Sequence, residues 1–242
     1  MNKGRIGEQF HQETALSWKH TLGDLLRSKP PKPPRYKVYP GAKRIDLPPP
    51  DHEGVPVETA IKKRRSVRNY SPESLPLRAL SQLLFVAQGT TGRLYGEPLH
   101  SAPSAGALYP FEVYVVANNV QGLPQGLYHY ALREHQLELI KAGDLRSEIT
   151  DAALQQEMLG EADASFVLAA VFDRTRHKYG ERGVRYVYIE AGHISQNIYL
   201  QAVSLGLGSG AVGAFLDEKL NLLIGIDGKS EAAIYLHAVG TL

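Results

Sequence analysis

Arg64-Arg65-Ser66-Val67-Arg68 places three guanidiniums and a hydroxyl within five residues of a chain whose total charge is nearly balanced. Guanidinium forks grip phosphate oxygens in pairs and a serine adds a neutral donor, so the cluster suits a compact dianion. A solvated basic helix end is the competing reading of the same five residues. The rest of the chain decides between them.

The 242 residues fit one large domain, and the 43% hydrophobic content suits a globular core of that size. With 27 Lys plus Arg against 25 Asp plus Glu, no general field attracts nucleic acid or an anionic membrane, so any basic site is local. The absence of cysteine removes disulfides, thiolate metal sites and a cysteine nucleophile together, and leaves redox chemistry to a bound cofactor. Residues Met1 to Phe10 are polar, and the longest apolar run, Phe166 to Phe172, is too short to span a bilayer. A cytoplasmic location is expected, with no membrane partner.

An apolar pattern, Ala15, Leu16, Trp18, Leu22, Leu25 and Leu26, predicts a short amphipathic helix. Eight of the fifteen prolines then fall between Pro30 and Pro50, which suits an extended arm. Tyr36, Val38, Tyr39, Ile45 and Leu47 between them favour packing on the domain or on a second subunit over disorder. Residues 1–54 therefore read as helix and arm, and 55–242 as the main domain. There, a helix ends near Arg65 and a second carries Leu77, Leu80, Leu83, Leu84 and Ala87 on one face before Gly89. Phe111 to Ala117 and Gly126 to Leu132 read as an antiparallel pair of strands, Asp151 to Leu159 as a helix and Ser165 to Phe172 as a buried strand. A long helix over Arg182 to Leu205, a short one over Glu218 to Ile224 and a last strand over Ala233 to Val239 complete an α+β order without repeating βαβ units.

Gly208 to Gly213 satisfies the G-x-G-x-x-G spelling, but a long helix precedes it where the dinucleotide fingerprint needs a strand. The glycines suit either a helix-to-strand connection or a backbone that approaches a flat ligand closely. Pro103-Ser104-Ala105-Gly106-Ala107-Leu108-Tyr109-Pro110 is a small-residue bend entering a hydrophobic strand. His193 lies alone within a predicted helix, and His129, His135 and His237 are scattered, so no metal site is read. No G-x-S-x-G elbow supports a serine hydrolase.

Taken together, the basic cluster, the Pro103 to Pro110 bend and the glycine segment resemble the nitroreductase-fold flavoproteins. Within them the match is closer to the SagB-type dehydrogenases, flavin components of thiazole/oxazole synthetases that oxidise azolines to azoles. Phe10-His11-Gln12-Glu13-Thr14, Arg64 to Tyr70, Pro103 to Pro110, and Glu190-Ala191-Gly192-His193 leading into Ser195-Gln196-Asn197 carry the likeness, which runs through almost the whole chain. It implies a nitroreductase-like layered fold, with a mainly antiparallel sheet flanked by helices, in an interlocked homodimer. It also implies FMN held by Arg64, Arg65 and Ser66 at the phosphate, with Arg68 at the pyrimidine edge, where a fixed cation stabilises reduced flavin. Ser104, Ala105, Gly106 and Leu108 would line the isoalloxazine, across a dimer interface as in the family. Gly210, Ala211, Val212 and Gly213 would run along the ring, with a backbone N–H of Val212 or Gly213 toward N5. Many general nitroreductases add a basic pair near the C-terminus; this chain ends His237-Ala238-Val239-Gly240-Thr241-Leu242, which places more weight on Arg64, Arg65 and Ser66.

Lys178-Tyr179 resembles the Lys-Tyr pair of azoline dehydrogenases. Dehydrogenation needs a hydride acceptor on one side and a base on the other, and a tyrosine serves as base where a neighbouring ammonium favours the phenolate. Without the resemblance, His177-Lys178-Tyr179 is a solvated loop before a helix. The reading is an FMN-dependent oxidoreductase that dehydrogenates a small heterocycle or a peptide azoline, with separate cyclising proteins as candidate partners. Two alternatives accompany it: an NAD(P)H-dependent reductase of nitro compounds, quinones or alkenes, and a catalytically silent flavin binder.

Overall fold

Two strands in the middle of the chain are apolar at every position, or nearly so, and such strands must be covered on both faces. They are β4 (Phe111–Ala117) and β7 (Ala164–Val171), neighbours in a seven-stranded sheet. The computed structural model describes residues 6–16 and 31–242. In chain order its remaining elements are α1 (Ile6–Glu13), β1 (Arg44–Asp46), α2 (Val57–Lys63), α3 (Leu77–Gln88), β2 (Thr90–Leu94), β3 (Glu97–His100), β5 (Gly126–Ala131), β6 (Gln136–Ala142), α4 (Arg146–Ala152), α5 (Met158–Glu161), α6 (Asp173–Tyr179), α7 (Arg182–Ser204), β8 (Gly208–Val212), α8 (Asp217–Ile224) and β9 (Glu231–Gly240). The sheet order is β1-β6-β5-β4-β7-β9-β8 and every neighbouring pair is antiparallel.

Strand periodicity sorts the core into two layers. Phe111, Val113, Val115, Phe166 and Leu168 meet Leu80, Leu83 and Leu84 of α3 and Val187, Ile194 and Ile198 of α7. Tyr114, Val116, Val167 and Ala169 face the other way, onto Ile149 of α4, Met158 and Leu159 of α5, and Leu220 and Ile224 of α8. Each fully buried Leu, Ile or Phe contributes about 1.5–3 kcal/mol relative to exposure, so the two layers hold the sheet between helices without any covalent staple.

Several expectations need correction. The single helix over Asp151 to Leu159 is two short ones, α4 and α5, because Leu154 and Gln155 turn the chain at φ 57° and 62°. The apolar pattern from Ala15 to Leu26 begins in two non-helical residues, and its remainder lies outside the described residues; the helix found nearby is α1, in the stretch before it. Strand β6 and the β2–β3 hairpin join the fold unread from the sequence.

The arm supplies β1, which pairs with β6 through Arg44, Ile45 and Asp46. Charge fixes it further. Lys37 donates its backbone N–H to Glu112 at 3.1 Å, and its ammonium to Tyr114 at 2.8 Å and Glu231 at 2.5 Å. Arg44 reaches buried Glu138 at 2.9 Å. His129 stands between Glu112, at 2.9 Å, and Glu138, at 3.0 Å. Burial pushes the Glu112 carboxyl up, yet His129 and Arg174 outweigh it and hold the group below its ordinary value.

Candidate active site

The basic cluster begins where α2 stops. Arg64 leaves helical geometry at φ −51°, ψ 125°, and the chain then runs against β8, with the Val67 N–H donating to the Ser209 carbonyl at 2.8 Å. Such contact requires glycine in β8: a Cβ on Gly208 would fall 2.8 Å from Val67 Cγ1, and one on Gly210 would fall 2.9 Å from the Val67 carbonyl oxygen. Gly208 and Gly210 thus make room for the chain's own Val67. Gly213 differs: it is exposed, and a Cβ there would meet only the Tyr235 ring, at 3.6 Å. The segment is therefore strand β8 and its end, which agrees with rejecting the dinucleotide spelling.

Tyr199 of α7 ties these pieces together. Its hydroxyl accepts the Ala211 N–H at 2.7 Å and lies 3.2 Å from Ser66 Oγ, while the Arg64 guanidinium sits over its ring at 5.1 Å. Arg65 turns back to the end of α2, donating to the carbonyls of Lys62 at 3.1 Å and Arg64 at 2.7 Å. Arg35, Arg44, Arg78, Arg146, Arg174 and Arg176 each meet a carboxylate. Among the described residues, Arg64, Arg65 and Arg68 meet none, so the cluster retains the uncompensated positive charge that a phosphate dianion needs. The residues present fit the phosphate of FMN. Tyr199 escapes the sequence reading; its only signal is a place beside inner-face Ile198 on the flank of α7.

The second group of candidate residues is the turn from Ser104 to Leu108. Gly106, Ala107 and Tyr109 all have positive φ, at 64°, 52° and 46°, two of them without glycine's freedom. Ser104 Oγ accepts the Tyr109 N–H at 2.9 Å, and Tyr109 stacks on His100 at 3.8 Å while its hydroxyl accepts the His100 N–H at 3.1 Å. Lys178 and Tyr179 cover Gly106: a Cβ there would lie 2.7 Å from the Tyr179 hydroxyl and 2.8 Å from Lys178 Nζ. The pair ends helix α6 instead of occupying a loop. Asp173 in the first turn and Arg176, His177 and Lys178 in the last complement the helix dipole, which is why the segment coils. Arg174, one turn before Lys178, is buried and donates to Glu112 at 2.5 Å, to the Pro34 carbonyl at 2.8 Å and to the Tyr109 carbonyl at 3.5 Å. Arm, turn and α6 therefore share one guanidinium.

The structure groups the predicted residues into two sets. Arg64, Ser66 and Ala211 meet through Tyr199; Gly106, Lys178 and Tyr179 meet at the turn. Tyr179 packs on Tyr186 at 5.1 Å, near the start of α7, whereas Tyr199 lies 13 residues further on, about 20 Å along the helix axis. His193 is exposed on α7, while His129, His135 and His237 are bonded within the fold. Among the described residues, no helix is long and apolar enough to cross a membrane.

Residues 61–241 match the nitroreductase family, and the chain belongs to it. It is 42% identical over 177 residues to MJ1384 of Methanocaldococcus jannaschii, a protein named only as a nitroreductase, covering 73% of this chain and 88% of that one. To the microcin B17-processing protein McbC of Escherichia coli it is 26% identical over 192 residues, covering 72% of this chain and 70% of McbC. Among solved structures, a protein named as a nitroreductase from Anabaena variabilis gives a TM-score of 0.72 at 31% identity, over 84% of this chain and 42% of that longer one. The Escherichia coli microcin synthetase McbBCD complex, with truncated pro-MccB17 bound, contains a chain that matches with a TM-score of 0.65 at 21% identity, over 97% of this chain and 86% of that one. A nitroreductase from Desulfovibrio desulfuricans in complex with FMN has the same fold, with a TM-score of 0.54 at 18% identity, over 78% and 87% of the two chains.

Proposed function

We propose that this chain is an FMN-dependent dehydrogenase of azolines carried on a peptide or small molecule, working beside separate cyclising proteins. The observation that carries the reading is the convergence of Lys178 and Tyr179 on Gly106, at the turn assigned to the flavin ring. Kinship with McbC, a microcin-processing protein, and the fold shared with the McbBCD complex support the substrate class.

Arg64, Arg65 and Ser66 would hold the phosphate, Arg68 the pyrimidine edge, the Ser104 turn the ring, and the Ala211 to Gly213 backbone its other side. Flavin, when bound, supplies the hydride acceptor. The chain supplies the base: Tyr179 takes the substrate proton onto its phenol oxygen, with the Lys178 ammonium beside it. Nζ of Lys178 lies 5.3 Å from the Tyr179 ring centroid. Because the two half-sites are spaced along α7, we assign their completion to a second copy packing across the helix, whose outer face exposes Tyr188 and Ile189 between them.

A second reading runs electrons the other way, from NAD(P)H through flavin to a nitro compound, quinone or alkene, and rests on the 42% identity to MJ1384. Stopped-flow reduction of the FMN-loaded protein separates the two. A thiazoline should reduce it, with Tyr179→Phe slowing that step and leaving flavin content unchanged. Fast reduction by a nicotinamide and none by the thiazoline would favour the second reading.

A further inference from the structure

Beneath the strained Ser104 turn runs a chain of buried polar groups that the proposed chemistry does not use. His100 Nδ1 meets Gln88 Oε1 at 2.9 Å; Gln88 and Ser104 both face the carboxyl of Glu190, on the inner side of α7. Glu190 is only 2% exposed. Along this short chain three polar atoms, His100 Nε2, Gln88 Nε2 and Glu190 Oε1, meet no hydrogen-bonding group among the described residues. Buried polar groups in such a row bear directly on the position of whatever they bond. Above them, Ala107 and Tyr109 hold backbone conformations that need outside support.

We propose that Glu190 is a positioning residue for the Ser104–Leu108 turn, and through that turn for the flavin, acting by way of Ser104 and Gln88. The inference rests on the reading that this turn touches flavin. The groups facing the carboxyl are neutral: Ser104 from the turn, Gln88 from α3 and, behind Gln88, His100 from β3, whose imidazole burial holds down to about 4. Burial pushes the Glu190 carboxyl up to about 8, more than Ser104 and Gln88 pull it back. Near neutral pH it is thus a neutral acid able to donate a hydrogen bond to one of its neighbours. Above pH 8 it becomes a buried carboxylate with no cation beside it among the described residues. Solvating that charge requires the turn to lift and admit water, so the turn and the flavin bound to it loosen together.

The test compares full-length wild type, Glu190→Gln and Glu190→Ala on either side of pH 8, using two measurements. One is amide hydrogen exchange over residues 103–110, corrected for intrinsic rates; the other is FMN affinity by flavin fluorescence. Glu190→Ala should deprotect the turn and weaken FMN binding about tenfold, because it removes the buried carboxyl that faces Ser104 and Gln88. Wild type should lose both protection and affinity as pH rises through 8, whereas Glu190→Gln, neutral at every pH, should keep both. Identical pH profiles for wild type and Glu190→Gln would overturn the proposal, and that comparison remains available if the alanine variant fails to fold. Absence of FMN binding by wild type would instead remove the flavin reading, leaving hydrogen exchange to decide whether Glu190 positions the turn.

Discussion

Ser66 and Tyr199 face each other oxygen to oxygen at 3.2 Å, and the same phenol also receives the Ala211 N–H. One helix side chain thereby sets the distance between the basic cluster and the end of β8. Replacing it with Tyr199→Phe keeps the ring beneath Arg64 but frees both partners. FMN retention should weaken about tenfold, as for loss of a net hydrogen bond or two, with an unchanged circular dichroism spectrum. Equilibrium dialysis against FMN measures it.

Arg65 and Arg68 should separate in function. Arg65→Ala should lower FMN affinity through lost phosphate contact. Arg68→Ala should leave more flavin bound but shift its reduction potential downward, because a cation no longer stabilises the reduced form. Dye-equilibrium potentiometry on both variants checks the division; if each merely empties the site, the two arginines share one role.

Gly106→Ala tests the turn directly. Its φ of 64° disfavours any side chain, and the added methyl would press on Tyr179 and Lys178. About 1 kcal/mol of stability should be lost to backbone strain, with a disproportionately larger fall in substrate turnover as the two side chains are displaced. Urea unfolding and single-turnover kinetics together separate those effects.

The Arg174–Glu112 pair should be worth much more to the fold. Both side chains are buried, at 5% and 3% exposure, and Arg174→Met would leave Glu112 facing one fewer cation. A loss of about 3–5 kcal/mol is expected on breaking a buried pair by removing one partner. Limited proteolysis should then cut first in residues 31–43, since the arm loses its anchor at Pro34.

Acid should destabilise the protein through His100 and Glu112. His100 ordinarily titrates at 6.5 and is held at about 4 in the fold by burial, so between those values only the unfolded chain binds its proton. Glu112 acts in the same direction below its ordinary 4.5, the folded carboxylate resisting protonation. The stability these two groups contribute should therefore fall as pH drops below 6.5, opposed by Glu190, whose raised value favours the fold as pH falls below 8, and His100→Gln should remove the acid-destabilising part of the slope lying between 6.5 and 4. Urea titrations at stepped pH measure it.

The sequence made the periodic elements plain. Helices α3 and α7 announce their inner faces, and β4, β5, β7 and β9 are rich enough in Val, Tyr and Ala to be read as strands. Other elements stay hidden for particular reasons. Strand β6 carries Glu138 at a wholly buried position, and that charge disguises its alternation; its partners are Arg44 and His129, on other strands. The break between α4 and α5 is made by Leu154 and Gln155, where no glycine or proline signals a turn. The candidate site was legible as four separate spellings, Arg64 to Arg68, Ser104 to Leu108, Lys178-Tyr179 and Gly210 to Gly213. What joins or underlies them, Tyr199, Arg174 and Glu190, depends on contacts between residues far apart in the chain, which local pattern does not reveal.

A sheet that is not closed into a barrel exposes two rows of unpaired backbone groups, and each invites strand addition from another molecule. Here the chain blunts both with its own segments. At one end the three residues of β1 occupy β6, and Pro48, Pro49 and Pro50 follow at once, offering no N–H to a newcomer. At the other, Val67 of the basic segment bonds to Ser209 of β8. The proline-rich arm consequently acts as a guard against aggregation as well as a clamp, and trimming the chain up to Leu47 would exchange a capped sheet for a sticky one.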